Sequence, residues 1–171
     1  MRTRAAIARI AVAGAATAVM TASAAATAYA APGVSVQQQI AAQVANYGGE
    51  QTGPGEVTYS SGSVKLVIPP AGQAATCPIG WYCFFESAGY GGRMLQFQDC
   101  GGYQFLGDYG FRNQASAWQN RTQNTVEVYD EDVQPWELLW TMTPDAESIS
   151  VGTAADEKAD FFNTLCPASA K

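Results

Sequence analysis

The sequence predicts an all-β fold, a sandwich of two Greek-key motifs preceded by a short helix-plus-hairpin leader. Three observations carry this. From Cys77 onward, short apolar or alternating runs are separated by Gly, Asp, Asn and Pro, the pattern of many brief strands. Within that region Phe85 is followed five positions on by Tyr90 and seven on by Gly92, a spacing that suits two stacked rings and a glycine at positive φ closing a folded-over hairpin. The third observation is an internal repeat. Phe85 precedes Ser116 by 31 positions and Tyr129 precedes Asp160 by the same 31, so an offset of 44 relates two halves. The offset also aligns Ala115 with Ala159 and Trp118 with Phe162.

Residues 1–30 read as a secretion signal. Arg2 and Arg4 give a positive start, an Ala- and Val-rich stretch follows, and Ala28-Tyr29-Ala30 supplies small residues before a cleavage point. Arg9 interrupts the apolar stretch, and no later run reaches the length of a membrane span. The mature chain then begins near Ala31, exported and extracellular, long enough for one domain with an appendage. It carries six basic and fifteen acidic residues, a formal charge of −9, which excludes nucleic acid and anionic membranes as partners.

Residues 31–76 form the leader. Ser35 caps a helix with Val36, Ile40 and Val44 on one face, ended by Gly48-Gly49. Residues 56–59 and 64–68 alternate around Ser61-Gly62 as a hairpin, and Pro69-Pro70 opens a linker to Thr76. A helix and one hairpin cannot bury enough surface to fold alone, so the leader either docks on the main domain or is a removable pro-segment. In the main domain, 77–167, strands are expected at 80–85, 93–98, 103–106, 115–119, 125–129, 138–142, 148–151 and 158–162. Gln134 and Trp136 stand where Tyr90 and Gly92 would repeat, so the second half lacks the full corner.

All four cysteines, Cys77, Cys83, Cys100 and Cys166, lie in the exported part, which favours two disulfides. Zinc is disfavoured, because there is no histidine and no pair of short Cys loops. Three pairings are open. A hairpin centred near Gly89 places Cys77 opposite Cys100 and so favours Cys77–Cys100 with Cys83–Cys166.

The lack of histidine also removes Ser-His and Cys-His nucleophile pairs, and no spacing sets two of Glu86, Asp99, Asp108 and Asp130 across a cleft. The chain is therefore not expected to be an enzyme.

Cys77 to Cys83, Arg93 to Cys100, Leu106 to Phe111, Asn113 to Asn120, Val126 to Asp130 and Leu139 to Met142 together resemble the secreted actinobacterial peptidase inhibitors of inhibitor family thirty-six, with a βγ-crystallin fold. The likeness runs over roughly residues 77–163. It implies a monomer that inhibits a secreted protease, a zinc metalloprotease in the first instance, by inserting a stiff loop into the cleft. The segment Asp130, Glu131, Asp132, Val133, Gln134, Pro135, Trp136 and Glu137 is the longest connection between strands. Val133 and Trp136 are its possible anchors, with Gly107 to Phe111 as a second contact. An inhibitory loop in this family can be held by nearby disulfides, yet no cysteine lies between Cys100 and Cys166.

Crystallin-like domains also bind calcium through a loop of two Asp or Asn, two variable residues, Ser or Thr, then Ser. Here the first copy, 112–117, puts Arg112 where an acid belongs, and the second, 156–161, has lost both hydroxyls. Asn113, Ser116, Asp156 and Asp160 are the remaining ligand candidates; the departures favour no cofactor, with Ser116 bonding back to the folded hairpin. The alternative function is an extracellular calcium- or carbohydrate-binding module, antifungal-toxin-like proteins included. The rings of Trp81, Tyr82, Tyr90, Tyr103, Tyr109, Trp118, Trp136 and Trp140 would supply stacking surfaces wherever they are not core.

Overall fold

The computed structural model describes residues 33–167. The proposed secretion signal lies outside the described residues, and among the described residues no helix is long and apolar enough to cross a membrane. The elements run α1 (Val36–Tyr47), β1 (Glu50–Gly53), β2 (Glu56–Tyr59), β3 (Val64–Val67), β4 (Tyr82–Ser87), β5 (Gly91–Phe97), β6 (Gly102–Phe105), β7 (Ala117–Asn120), β8 (Thr125–Asp130), β9 (Glu137–Met142), β10 (Glu147–Ser148) and β11 (Phe161–Leu165).

Two antiparallel sheets form. The first has the order β1-β2-β3-β5-β4-β7-β10, the second β6-β11-β8-β9. Strands β4, β5 and β7 stay in the first sheet while β6 crosses to the second. In the other half β8, β9 and β11 stay in the second sheet while β10 crosses to the first. Each motif thus gives its third strand to its partner's sheet, and the 44-residue offset in the sequence becomes this exchange.

Alternation decides which face is core. Tyr82 and Phe84 of β4, Leu95 and Phe97 of β5, Val126 and Val128 of β8 and Phe162 of β11 all lie between the sheets and are fully buried. Their rings interlock, with Phe97 and Phe162 centroids 4.8 Å apart and Phe84 and Phe162 5.3 Å apart. Each such side chain contributes about 1.5–3 kcal/mol of burial.

The leader docks as part of the first sheet. β3 pairs with β5 from Val64↔Phe97 to Val67↔Met94, so the ladder runs without a break from leader to main domain. Ser35 caps α1 through a reciprocal capping box with Gln38, and Ile40 from that helix enters the core. Gln43, also buried, donates to the Tyr59 hydroxyl at 2.9 Å and the Tyr109 carbonyl at 2.7 Å, tying helix to hairpin to main domain. Strand β1 has no counterpart among the expected strands. Glu50, Gln51 and Thr52 are exposed, and pairing with β2 alone defines this edge.

The observed pairing of cysteines is Cys77–Cys83 and Cys100–Cys166, which corrects the expected one. The hairpin aligns only residues of β4 and β5. Cys77 precedes β4, in a linker that folds over the outer face of the first sheet and meets Cys83 there with Trp81, Phe85 and Met94. Cys100 lies where the chain has left β5 for the second sheet, and β6 pairs with β11 up to Gly102↔Thr164, beside Cys166. The last strand also starts later than expected, at Phe161. Ala159 and Asp160 are buried but sit at the crossing into the sheet, where Asp160 N–H donates to the Tyr129 carbonyl at 3.0 Å.

Candidate functional site

The folded hairpin joins β4 to β5 in the first half of the sandwich. Phe85 and Tyr90 lie 5.1 Å apart with tilted rings. Gly92 has φ of 73°, and a Cβ there would come within 2.9 Å of Glu86 Cβ, so both conformation and space require glycine. Ser116 latches the fold: its N–H donates to the Phe85 carbonyl at 2.9 Å and its hydroxyl to the Glu86 carbonyl at 3.0 Å.

Glu86 closes the same corner on Arg93, accepting from its backbone N–H and its Nε, each at 3.0 Å. Burial pushes the Glu86 carboxyl up, but Arg93's hydrogen bonds and charge outweigh it and hold the group below the ordinary carboxylate range. A lowered folded-state pKa gives stability that is present above the unfolded value and lost as pH falls through the folded one. Glu86→Gln should therefore flatten part of the acid limb of a melting-temperature profile below about pH 4.5, the ordinary carboxylate value. An unchanged acid limb would show that Glu86 is already protonated or unpaired.

The second half repeats the latch with different chemistry. Asp160 N–H bonds to Tyr129 as Ser116 N–H does to Phe85, but its carboxylate turns to the segment 130–136. Asp160, 1% exposed, accepts from Glu131 N–H at 2.8 Å and from Arg112 Nε at 2.5 Å. The Arg112 guanidinium also reaches Asp132 at 2.6 Å and Glu131 at 3.6 Å, and Asp130 accepts from Asp132 N–H at 2.8 Å. Arg112 comes from the first half, so one side chain clamps the base of the loop across the two motifs. At its far end Trp136 stacks edge-on against Phe161, 4.9 Å away, and near Tyr103 at 6.2 Å. Between these anchors Val133 is 41% exposed, and Trp136 itself remains 50% exposed. Gln134 and Pro135 are exposed as well, joined by a cis peptide bond.

Other expected contacts fall elsewhere. Leu106, Tyr109 and Phe111 are buried, the first two in a short 3-10 turn, so the apolar side chains of the expected second contact, Gly107 to Phe111, are committed to the core and to the leader. Of the four calcium candidates, only Asn113 and Asp160 are in contact with each other. Ser116 is committed to the corner, and Asp156 is exposed in a separate turn. Asn113, with its amide oriented to satisfy its neighbours, donates to Asp160 at 3.0 Å. Asp130, Asp132 and Asp160 do bring carboxylate oxygens within 4.8 Å of one another, a triad not foreseen in the sequence. The guanidinium of Arg112 bonds to two of the three, so the residues present fit a tethered cation and do not fit a dication. Only the arginine at position 112 hinted at this, by standing where an acid was expected.

Comparison with known proteins agrees with the resemblance in the sequence. The model of peptidase inhibitor family I36 matches residues 70–133. Among solved structures, a βγ-crystallin domain from Clostridium beijerinckii is similar at 24% identity, covering 49% of this chain and 95% of that one, with a TM-score of 0.41. A structure from work on the evolution of the eye-lens βγ-crystallin domain fold is similar at 10% identity, covering 61% and 99%, with a TM-score of 0.46. Among curated proteins no relative matches. Residues 70–133 thus carry the match to peptidase inhibitor family I36, and the exchanged four-strand motifs around them form a βγ-crystallin-like sandwich.

Proposed function

We propose that the chain is an exported, non-enzymatic inhibitor of a secreted peptidase, of the zinc metalloprotease class, and that the segment Asp130–Trp136 enters the enzyme's cleft. The observation that supports this is the double anchoring of that segment. A loop already fixed before binding loses little entropy on binding. Here the fixation comes from Arg112 and Asp160 at one end and Trp136 on Phe161 at the other, in a loop that has no disulfide nearby to hold it. Val133 stands between them as the apolar side chain offered to a specificity pocket.

The test is residual activity of zinc, serine and cysteine proteases incubated with the mature chain, then with a Val133→Ala, Trp136→Ala double variant. Loss of two anchors of this kind costs about 2 kcal/mol or more, roughly 30-fold in inhibition constant. Val133→Ala alone should leave the melting temperature unchanged. Undiminished inhibition by the double variant removes the loop from the mechanism, and inhibition confined to serine proteases replaces the target class.

A further inference from the structure

The outer face of each sheet has a different fate. On the first sheet the linker lies over Cys83, Phe85 and Met94 and buries them. On the second, register places Tyr103 and Phe105 of β6, Phe161 of β11, Tyr129 of β8 and Leu138 of β9 on one outward face. Tyr103 is 59% exposed, Phe105 44% and Leu138 48%. The rings are continuous, because Tyr103, Phe105, Tyr129 and Trp136 each lie within 5.8 Å of Phe161. Phe161 is buried beneath these neighbours, while Tyr103, Phe105, Trp136 and Leu138 stay open to solvent among the described residues, and exposed apolar faces of this kind mark interaction sites.

Charge says what fits. The four strands of this sheet contain Glu127, Asp130 and Glu137 and no lysine or arginine. Glu127 lies on the outward face, accepting from the Tyr129 hydroxyl at 2.9 Å. The adjoining loop adds Glu131 and Asp132, and the nearby cation, Arg112, is already engaged by three carboxylates. Aromatic faces attract cations through their quadrupole, and carboxylates beside them add to that attraction.

We propose that this aromatic and acidic face is a docking surface for a protein partner that presents arginine and lysine side chains. The surface shares Trp136, Glu131 and Asp132 with the candidate inhibitory loop, but its other rings and Glu127 lie on the strands, so it does not require that a protease be the partner. The test is to titrate the isotope-labelled mature chain with a hexa-arginine peptide while following backbone amide shifts. Saturable shifts should concentrate at 103–105, 127–129 and 136–138 and collapse in about 0.5 M salt, where charges are screened within a few ångströms. The Tyr103→Ser, Phe105→Ser double variant should bind about tenfold more weakly while still melting cooperatively, at a somewhat lower temperature because both rings also pack on Phe161. Shifts that are absent, or spread evenly over acidic surfaces such as Glu50 and Asp108, would overturn the proposal. So would shifts at these residues with chitohexaose but not with the peptide, which would assign the face to a neutral glycan.

Discussion

A chain that begins at residue 77 is expected to lose cooperative folding. Deleting the leader removes Ile40, Val57, Tyr59, Val64, Leu66 and Ile68, all buried in the main cluster. Each contributes about 1.5–3 kcal/mol by burial, against a total stability of about 5–15 kcal/mol for a whole domain. The leader's own ordering cost disappears with it, so the loss that decides the outcome is on the part that stays. β5 loses β3, one of its two partners, along Met94 to Phe97, and Tyr109 loses both its ring contact with Tyr59 and the bond from Gln43. The apolar edge left behind would also invite aggregation. Far-ultraviolet circular dichroism on heating reads this directly, with roughly 3–5 °C expected per kcal/mol lost at this size. A 77–171 chain that melts within a few degrees of the mature protein would instead mark residues 31–76 as a removable pro-segment.

Asp160→Ala is expected to have the second largest effect, on stability and on loop order together. The carboxylate is buried, while Arg112, its ion-pair partner, is 46% exposed at the side chain. Water can take up part of the arginine's charge, so the cost falls below that of breaking a fully buried pair, at about 2–3 kcal/mol. Glu131 N–H loses its acceptor in the same step. Asp160→Asn keeps an acceptor for that N–H and loses the charge, so about half the penalty is expected. Thermal melts give the stability, and faster protease nicking between Asp130 and Trp136 gives the loop. A variant equally stable and equally resistant would mean that Arg112 and Asp160 do not hold the segment.

The architecture was legible because its signals are periodic or fixed in spacing. Alternation located β2, β3, β8 and β9 almost to the residue, and the pairs Phe85/Ser116 and Tyr129/Asp160 mark the same backbone contact in both halves. What was not legible depends on the third dimension. The cysteine pairing turned on a linker folding back over a sheet and on β6 crossing to the other layer. Strand β1 has polar side chains throughout, so nothing in its sequence separates it from a loop. The clamp on the candidate loop joins residues 112, 131, 132 and 160 from both halves, and no local pattern announces such a meeting. Tyr103 and Trp136 were two rings among eight; only the register of β6 and the packing of Trp136 on Phe161 show that they lie on the outer face.

The crossing of β6 and β10 bears on what happens if an enzyme cuts what is offered to it. Scission after Val133 would divide the polypeptide into a piece ending with β8 and a piece containing β9, β10 and β11. β11 would still be wedged between β6 and β8, β10 would still cling to β7, and the Cys100–Cys166 bond would still join the two pieces covalently. A severed molecule would migrate as one species until reduced, and the attacker would have gained no dissociating product.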